Sequence, residues 1–193
     1  MKEKLCFNEM RDMAYNISMK NGFHKPETDT VPVKMMLVIT EIAEAVNADR
    51  DGKYGFPDEF ASRKWLNSHK WVATHKYDSL SVDMFNSLIK HTVPDELADA
   101  AIRLLDWAGW KGIDMDMEPP EIYDEFLAGR SFCEAAWYLT NMITRGADDG
   151  FMPVMALGFL YAWARHLGID LMRHIDWKLQ YNSLTVGQGK RTY

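Results

Sequence analysis

Hydrophobic positions in this chain recur three and four residues apart over most of its length, a spacing that predicts amphipathic helices rather than strands. Asn21-Gly22 is a typical helix end, and Pro32 suits the first residue of the helix that follows. The pattern predicts helices over residues 4–20, 32–51, 58–70, 81–90, 94–106, 121–127, 131–144, 151–167 and 169–182. The expected fold is an all-α helical bundle.

Two of the predicted helices carry pairs of acids on surfaces that are otherwise apolar. One helix holds Glu41 and Glu44, and the other holds Glu96 and Asp99. Residues three apart lie on one face of a helix, so each pair can direct its carboxylates toward one point. If the two helices pack face to face, four acids meet in an apolar setting and need a cation to compensate their charge. Oxygen ligands without Cys or His favour Mg²⁺ or Mn²⁺.

The same acids have a simpler interpretation, in which they belong to solvated helix faces. The polar stripe of the first acidic helix comprises Lys34, Thr40, Glu41, Glu44 and Asn47, and that of the second comprises Glu96, Asp99, Arg103 and Asp106. Because glutamate is usually exposed, the first helix alone favours the solvated interpretation. The sparing placement of acids among Ala and Leu occurs twice, however, and this recurrence favours a metal site.

Composition and charge narrow the class of protein. The chain has 193 residues, of which 47% are hydrophobic and 26% charged, so it can bury a sizeable core and is not expected to be disordered. Residues 1–193 are expected to form a single domain. A formal net charge of −6 argues against stable nucleic-acid binding, which normally needs a basic surface.

Three further features concern the cellular environment. The N-terminal residues are charged throughout and lack the apolar core of a signal peptide. The uncharged stretch over 151–164 is too short to span a bilayer and is interrupted by Pro153. A cytoplasmic protein without a membrane partner is therefore expected. Cys6 and Cys133 lack CxxC spacing, and we expect them to be reduced, buried and inert.

Residues 54–91 differ in character and are expected to form an insertion between the two acidic helices. The segment is rich in aromatic residues and contains His69, His75 and His91. A base-stacking wall or a subunit contact would use such side chains. Packing of the insertion onto the bundle is the simpler interpretation.

Several common active-site motifs are absent from the sequence. There is no GxxxxGK[ST] phosphate loop, no GxGxxG, no paired CxxC and no HExxH. A di-iron bundle of the ferritin type would need Glu-x-x-His on its ligand helices, and no histidine follows a glutamate at that spacing. A Ser–His–Asp triad remains open, although the sequence has no GxSxG elbow.

The sequence resembles a known family at two segments, TEIAEAVNADR (residues 40–50) and DELADAAIRLLDWAG (residues 95–109). Together they are similar to the ExxE…ExxD motif of the MazG-like, all-α nucleoside triphosphate pyrophosphatases. The earlier NGFH and KMMLVITE segments and the late Lys178 with Tyr181-Asn182 also resemble that family. The resemblance covers most of the chain outside residues 54–90, and both halves of the motif fall in order on predicted helices.

This family resemblance implies a helical bundle that forms a homodimer or homotetramer. It also implies Mg²⁺-dependent hydrolysis of an NTP or dNTP to the monophosphate and pyrophosphate. Lys34 would then lie near the phosphates, while Lys178 and Asn182 would contact the nucleotide. The metal ligands that the resemblance implies are Glu41, Glu44, Glu96 and Asp99.

Two departures from the family pattern concern the substrate pocket. The 51 residues between Glu44 and Glu96 form a longer spacer than the family's usual one, so the pocket wall is expected to differ. The basic residue that the family tends to place just after its Asn is missing, and Ser183 stands there instead. Lys190 or Arg191 would have to replace it as a contact to the triphosphate.

The implied mechanism combines positioning with electrostatics. Glu41 or Glu44 would orient a metal-activated water toward the α- or β-phosphorus, and lysines such as Lys34 would stabilise charge on the leaving pyrophosphate. The alternative hypothesis is a non-enzymatic helical protein that binds a partner or regulates one. In that protein the acids would line a hydrated cleft or form a docking surface, and divalent metal would not raise its melting temperature.

Overall fold

The structure, a computed structural model, describes residues 6–25, 29–62, 77–118, 121–146 and 150–185. These residues form helices joined by loops. The helices are α1 (Asn8–Lys20), α2 (Val31–Arg50), α3 (described over 57–62), α4 (Tyr77–Leu88), α5 (Val93–Lys111), α6 (Ile122–Leu127), α7 (Phe132–Arg145), α8 (Met152–His166) and α9 (Leu171–Leu184). The all-α fold expected from the sequence is confirmed for the described residues.

Helix α5 is the central helix and packs against α1, α2, α8 and α9. Pro94 stands in its first turn, and Gly112 ends it with a φ of 66°, a left-handed conformation that glycine adopts without steric cost. Its three leucines have 0% exposure. A helix enclosed on nearly every side must bury polar residues as well, and Glu96 and Asp106 are buried with it.

Helix α2 runs antiparallel to α5. Lys34 near the start of α2 contacts Asp106 near the end of α5. Just beyond α2, the carbonyl oxygen of Lys53 accepts the backbone N–H of Val93 at the start of α5. This direction places the first turns of α5 beside the second half of α2, and each of those stretches carries one of the predicted acid pairs.

The two helices α7 and α8 agree closely with the sequence pattern. The Ser131 hydroxyl accepts the backbone N–H of Glu134 at 3.3 Å, and a carboxylate oxygen of Glu134 accepts the N–H of Ser131 at 2.8 Å. This reciprocal pair is the predicted capping box, and it confirms a structural role for Glu134. Helix α8 matches the apolar segment predicted over 151–167, and most of its residues lie in the main core.

The described part of the aromatic-rich segment packs against α9. Phe60 of α3 and Phe85 of α4 belong to a small second core that includes Trp177 of α9. The rings of Phe60 and Trp177 meet edge to face with centroids 4.8 Å apart. Packing onto the bundle therefore holds for these residues, while His69 and His75 lie outside the described residues.

Some expectations from the sequence are wrong in detail. Helix α1 begins at Asn8 rather than near residue 4, and Phe7 just before it is fully buried, edge-on to the ring of Tyr161. Cys6 and Cys133 are exposed rather than buried. A small side chain gains too little from burial to fix its place. Within the described ranges, no helix combines the length and apolar character that crossing a membrane requires.

His174 makes the stability of the fold sensitive to acid. Its side chain is buried against Trp177, Nδ1 has no hydrogen-bond partner among the described residues, and burial lowers its pKa from 6.5 to about 4. The unfolded chain therefore binds the proton more readily, and the free energy of unfolding should fall as the pH drops from 6.5 to about 4. The loss should approach about 3 kcal/mol, since one pKa unit corresponds to about 1.4 kcal/mol.

Urea unfolding at several pH values checks this expectation. The His174→Leu variant should show a flatter pH dependence over that interval. The His166→Leu variant, which changes an exposed histidine on α8, should keep the wild-type slope. An unaltered slope in His174→Leu would assign the acid sensitivity to other groups.

Candidate metal centre

Four acids from α2 and α5 converge at the antiparallel interface. Carboxylate oxygens of Glu41, Glu96 and Asp99 lie within 4.8 Å of one another, and an oxygen of Glu44 lies within the same distance of Glu96. These four residues, called the acid cluster below, are the two pairs that the sequence motifs single out. The structure therefore brings together side chains that lie more than 50 residues apart in the chain.

The separations suit a divalent cation. Mg²⁺ binds oxygen at about 2.0–2.1 Å in an octahedron, so its ligands lie about 3 Å apart when adjacent and about 4.2 Å apart when opposite. Oxygens within 4.8 Å of one another reach such positions by small side-chain rotations. Glu41 and Glu96 are buried, Asp99 is half-buried and Glu44 is exposed, so the cluster opens to solvent on one side. An ion held there would keep positions for water and substrate.

The acid cluster carries more negative charge than its surroundings neutralise. Burial, followed by the nearby charges of Asp99 and Asp95, raises the pKa of Glu96 to about 8. Burial and Asp99 also raise the pKa of Glu41, although Arg103 acts in the opposite direction. A bound cation would remove this penalty and keep both carboxyl groups ionised.

Lys178 lies at one side of the acid cluster. Its Nζ is 2.6 Å from Asp99 and 2.8 Å from Asp95. Burial alone would lower the pKa of Lys178, but the carboxylates of Asp99 and Asp95 outweigh it and raise that pKa. Lys178 therefore ties α9 to the start of α5 and neutralises part of the acidic charge. Sequence reasoning missed Asp95, because the helix dipole already explains an acid in a first turn.

The resemblance also assigns three residues that follow Lys178 in the sequence to contacts with the nucleotide, and the structure describes one of them. Asn182 is half-buried on α9, one turn after Lys178. Lys190 and Arg191 lie outside the described residues. Of this late group, the described structure therefore brings Lys178 into contact with the acid cluster.

Lys34 belongs to a separate group of charges two turns from Glu41. Its Nζ lies 3.0 Å from Asp106 and 3.1 Å from Asp29. The ring of His24 faces the same aspartates, with Nδ1 2.8 Å from Asp29 and Nε2 2.8 Å from Asp106. His24, Asp29, Lys34 and Asp106 form one contact group, called the buried charge network below, in which Lys34 and His24 each lie against both aspartates.

His91 stands at the edge of the acid cluster, a position that no motif in the sequence predicts. Its Nδ1 is 3.2 Å from Glu96, and its side chain is 68% exposed. Its φ of 60° is uncommon for a residue other than glycine. The contact depends on the turn that joins α4 to α5, and no local pattern in the sequence predicts that turn. His91 adds a nitrogen donor beside Glu44 and Glu96.

Comparison with known proteins does not identify the chain. Neither protein-family models, nor curated proteins, nor solved structures match it. The geometry and charge of the acid cluster, together with the sequence resemblance, are therefore the grounds on which a function can be proposed.

Removing Lys34 should destabilise the protein strongly. Burial on its own favours a higher pKa for Asp29, but hydrogen bonds from His24 and Lys34 lower it, so this carboxylate depends on its partners. In Lys34→Met, the buried Asp106 and the partly buried Asp29 both lose their lysine partner. We expect the free energy of unfolding to fall by about 3–5 kcal/mol, the usual cost of breaking a buried ion pair from one side.

A matched control is Lys53→Met, because Lys53 pairs with Asp51 at 2.7 Å while both side chains are more than half exposed. That variant should stay within about 0.5 kcal/mol of the wild type. Equal losses in the two variants, measured by urea unfolding, would show that the buried charge network contributes no special stability.

The protonation of Glu96 should make the stability of the protein depend on both pH and divalent metal. Because its pKa in the folded protein, about 8, exceeds the ordinary 4.5, the folded state binds the extra proton. Without divalent metal, stability should therefore decline as the pH rises from 4.5 to about 8. Millimolar Mg²⁺ should raise the melting temperature more at pH 8 than at pH 6, because the cation takes the place of the proton.

Thermal melting with and without Mg²⁺ tests this coupling. In Glu96→Gln the decline with pH should be smaller, and the Mg²⁺-dependent shift should shrink. A melting temperature indifferent to Mg²⁺ and Mn²⁺ at both pH values would contradict a divalent site in the acid cluster.

Proposed function

We propose that this protein is a Mg²⁺-dependent nucleoside triphosphate pyrophosphohydrolase, which converts an NTP or dNTP to the monophosphate and pyrophosphate. The observation that supports the proposal is the convergence of two acid pairs in one partly buried cluster. The resemblance to the MazG-like pyrophosphatases supplies the substrate class and the reaction.

In this proposal the acid cluster binds the cation. Glu41 and Glu96 are buried and lie on neighbouring helices, so the bundle fixes their positions before any ligand arrives. Asp99 has one oxygen 2.6 Å from Lys178, which restricts the rotation of its carboxylate. The cation, Mg²⁺ or Mn²⁺, would lower the pKa of a coordinated water and neutralise phosphate oxygens.

The chain's own residues would then position the reacting groups. Glu44 is exposed on the open side of the cluster, where it can orient a water toward a phosphorus atom and accept a proton from it. Glu41, whose carboxylate accepts a hydrogen bond from Arg103 at 3.0 Å, would be the second acid for that role. Attack by the oriented water would break the α–β phosphoanhydride bond, and the electron pair of that bond would leave with pyrophosphate.

The regulatory or partner-binding alternative accounts less well for the burial of the acids. A docking surface would present its carboxylates to a partner, whereas Glu41 and Glu96 are 7% and 3% exposed. Burying two acids beside a third is costly unless a cation compensates them, and a partner-binding role supplies no such compensation.

Glu41→Gln and Asp99→Asn should each abolish Mg²⁺-dependent release of pyrophosphate. Each change removes one anionic ligand while keeping the size of the side chain, so the fold should persist, as circular dichroism would show. We expect a loss of at least about a hundredfold in kcat/KM, comparable to the removal of a group that stabilises transition-state charge. A panel of NTPs and dNTPs, assayed for pyrophosphate, would also give the base and sugar preference.

The Glu9→Gln variant, in the exposed first turn of α1, provides a control with the same chemical change. It should retain full turnover. Wild-type turnover in Glu41→Gln or Asp99→Asn, or no pyrophosphate release from any nucleotide of the panel, would contradict the proposed function.

A further inference from the structure

One lysine and one arginine contact the acid cluster in the described part of the chain, and they differ in how many hydrogen-bond donors remain for a ligand. Lys178 is 7% exposed and is held between Asp99 and Asp95. Arg103 is 32% exposed and contacts one acid, Glu41, through its Nε–H at 3.0 Å. A cation enclosed by two carboxylates has little capacity for another anion, whereas Arg103 contacts one carboxylate through Nε and keeps the donors on its two terminal nitrogens.

The position of Arg103 follows from the helix geometry. It stands on α5 one turn after Asp99 and two turns after Glu96, so the three side chains share one face of the helix. A guanidinium carries five N–H donors in a planar fork. One donor is engaged with Glu41, and the described residues provide no hydrogen-bond partner for the two terminal nitrogens.

The third basic candidate, Lys34, is poorly placed for an incoming anion. It is 5% exposed and lies between Asp29 and Asp106 in the buried charge network, two turns of α2 away from Glu41. Two turns correspond to about 11 Å along the helix axis. Movement of Lys34 toward the acid cluster would leave Asp106 and Asp29 without their lysine partner, a costly arrangement.

We propose that Arg103 binds the phosphate chain of the substrate at the acid cluster, with Glu41 orienting its guanidinium. The free edge of the guanidinium matches two oxygens of a phosphate group, and such bidentate contacts are strong and directional. The proposal takes the nucleotide as ligand from the proposed function. Binding of a polyphosphate together with a divalent cation, by contrast, depends only on the positions of Arg103 and the acid cluster.

Calorimetric titration with inorganic tripolyphosphate in the presence of Mg²⁺ tests the proposal without requiring turnover. Arg103→Met should bind tripolyphosphate about tenfold to a hundredfold more weakly than the wild type, the effect expected for a lost charge-assisted contact. The matched control is Arg165→Met. Arg165 is also partly exposed at 40% and pairs with one carboxylate, that of Asp124, but it lies outside the acid cluster. It should bind as the wild type does.

Titration with Mg²⁺ alone separates a direct contact from an effect on the metal. Removing a cation from the cluster cannot weaken Mg²⁺ binding electrostatically, so Arg103→Met should bind Mg²⁺ at least as tightly as the wild type. Arg103→Lys keeps the charge but loses the fork, and it should recover only part of the tripolyphosphate affinity.

The proposal would be overturned if Arg103→Met bound tripolyphosphate with wild-type affinity, if Arg165→Met lost as much tripolyphosphate affinity as Arg103→Met, or if the wild type did not bind tripolyphosphate. A loss of Mg²⁺ affinity in Arg103→Met that matches the loss of tripolyphosphate affinity would also overturn it, because Arg103 would then serve only to shape the cluster. Failure of the proposed function gives a different pattern. In that case tripolyphosphate binds in an Arg103-dependent manner, but no NTP or dNTP yields pyrophosphate.

Discussion

The antiparallel packing of α2 against α5 is the contact on which the rest of the structure depends. It sets the register that pairs Lys34 with Asp106 at one end, Glu41 with Arg103 in the middle, and Glu44 with Glu96 at the other end. Polar side chains buried on a helix need partners from another helix, because water cannot reach them. A shift of α2 by one turn would separate every one of these pairs.

Charge is distributed unequally along this interface. At one end, the buried charge network holds Lys34 between two aspartates and connects the segment containing His24 and Asp29 to the helix pair. The acid cluster at the other end has four carboxylates and contacts from Arg103 and Lys178. The end with Lys34 stabilises the fold, and the end with the acid cluster retains negative charge that a divalent cation would neutralise. Ion pairs form at both ends, but the acid cluster brings more carboxylates together.

Helix α9 and the aromatic segment support the acidic end from outside. Lys178 joins α9 to α5, and the packing of Phe60 and Phe85 against Trp177 holds that part of α9 in place. The same region carries His91 in a left-handed conformation beside Glu96. Unusual backbone conformations persist where the surroundings fix them, and here the surroundings are the start of α5 and its N-terminal Asp95, which accepts the N–H of His91.

The sequence by itself determined the helices and the spacing of the acids. Pro32, Pro94 and the Ser131–Glu134 capping box act within a few residues, so local chemistry suffices to predict them. The predicted end of α5 at residue 106 is wrong, because the helix continues to Lys111 and ends at Gly112. The spacing of each acid pair, i and i+3, is also a local property of one helix. The convergence of the two pairs depends on how the helices pack, so the sequence supported it only as a hypothesis. The tertiary structure alone decided that Asp95 and Asp99 share Lys178, that Arg103 reaches Glu41, and that Lys34 is enclosed by Asp29 and Asp106. The partners in most of these contacts lie 62 to 83 residues apart in the sequence. Whether a charged side chain meets solvent or a partner depends on the register and direction of the helices, and no local pattern encodes either.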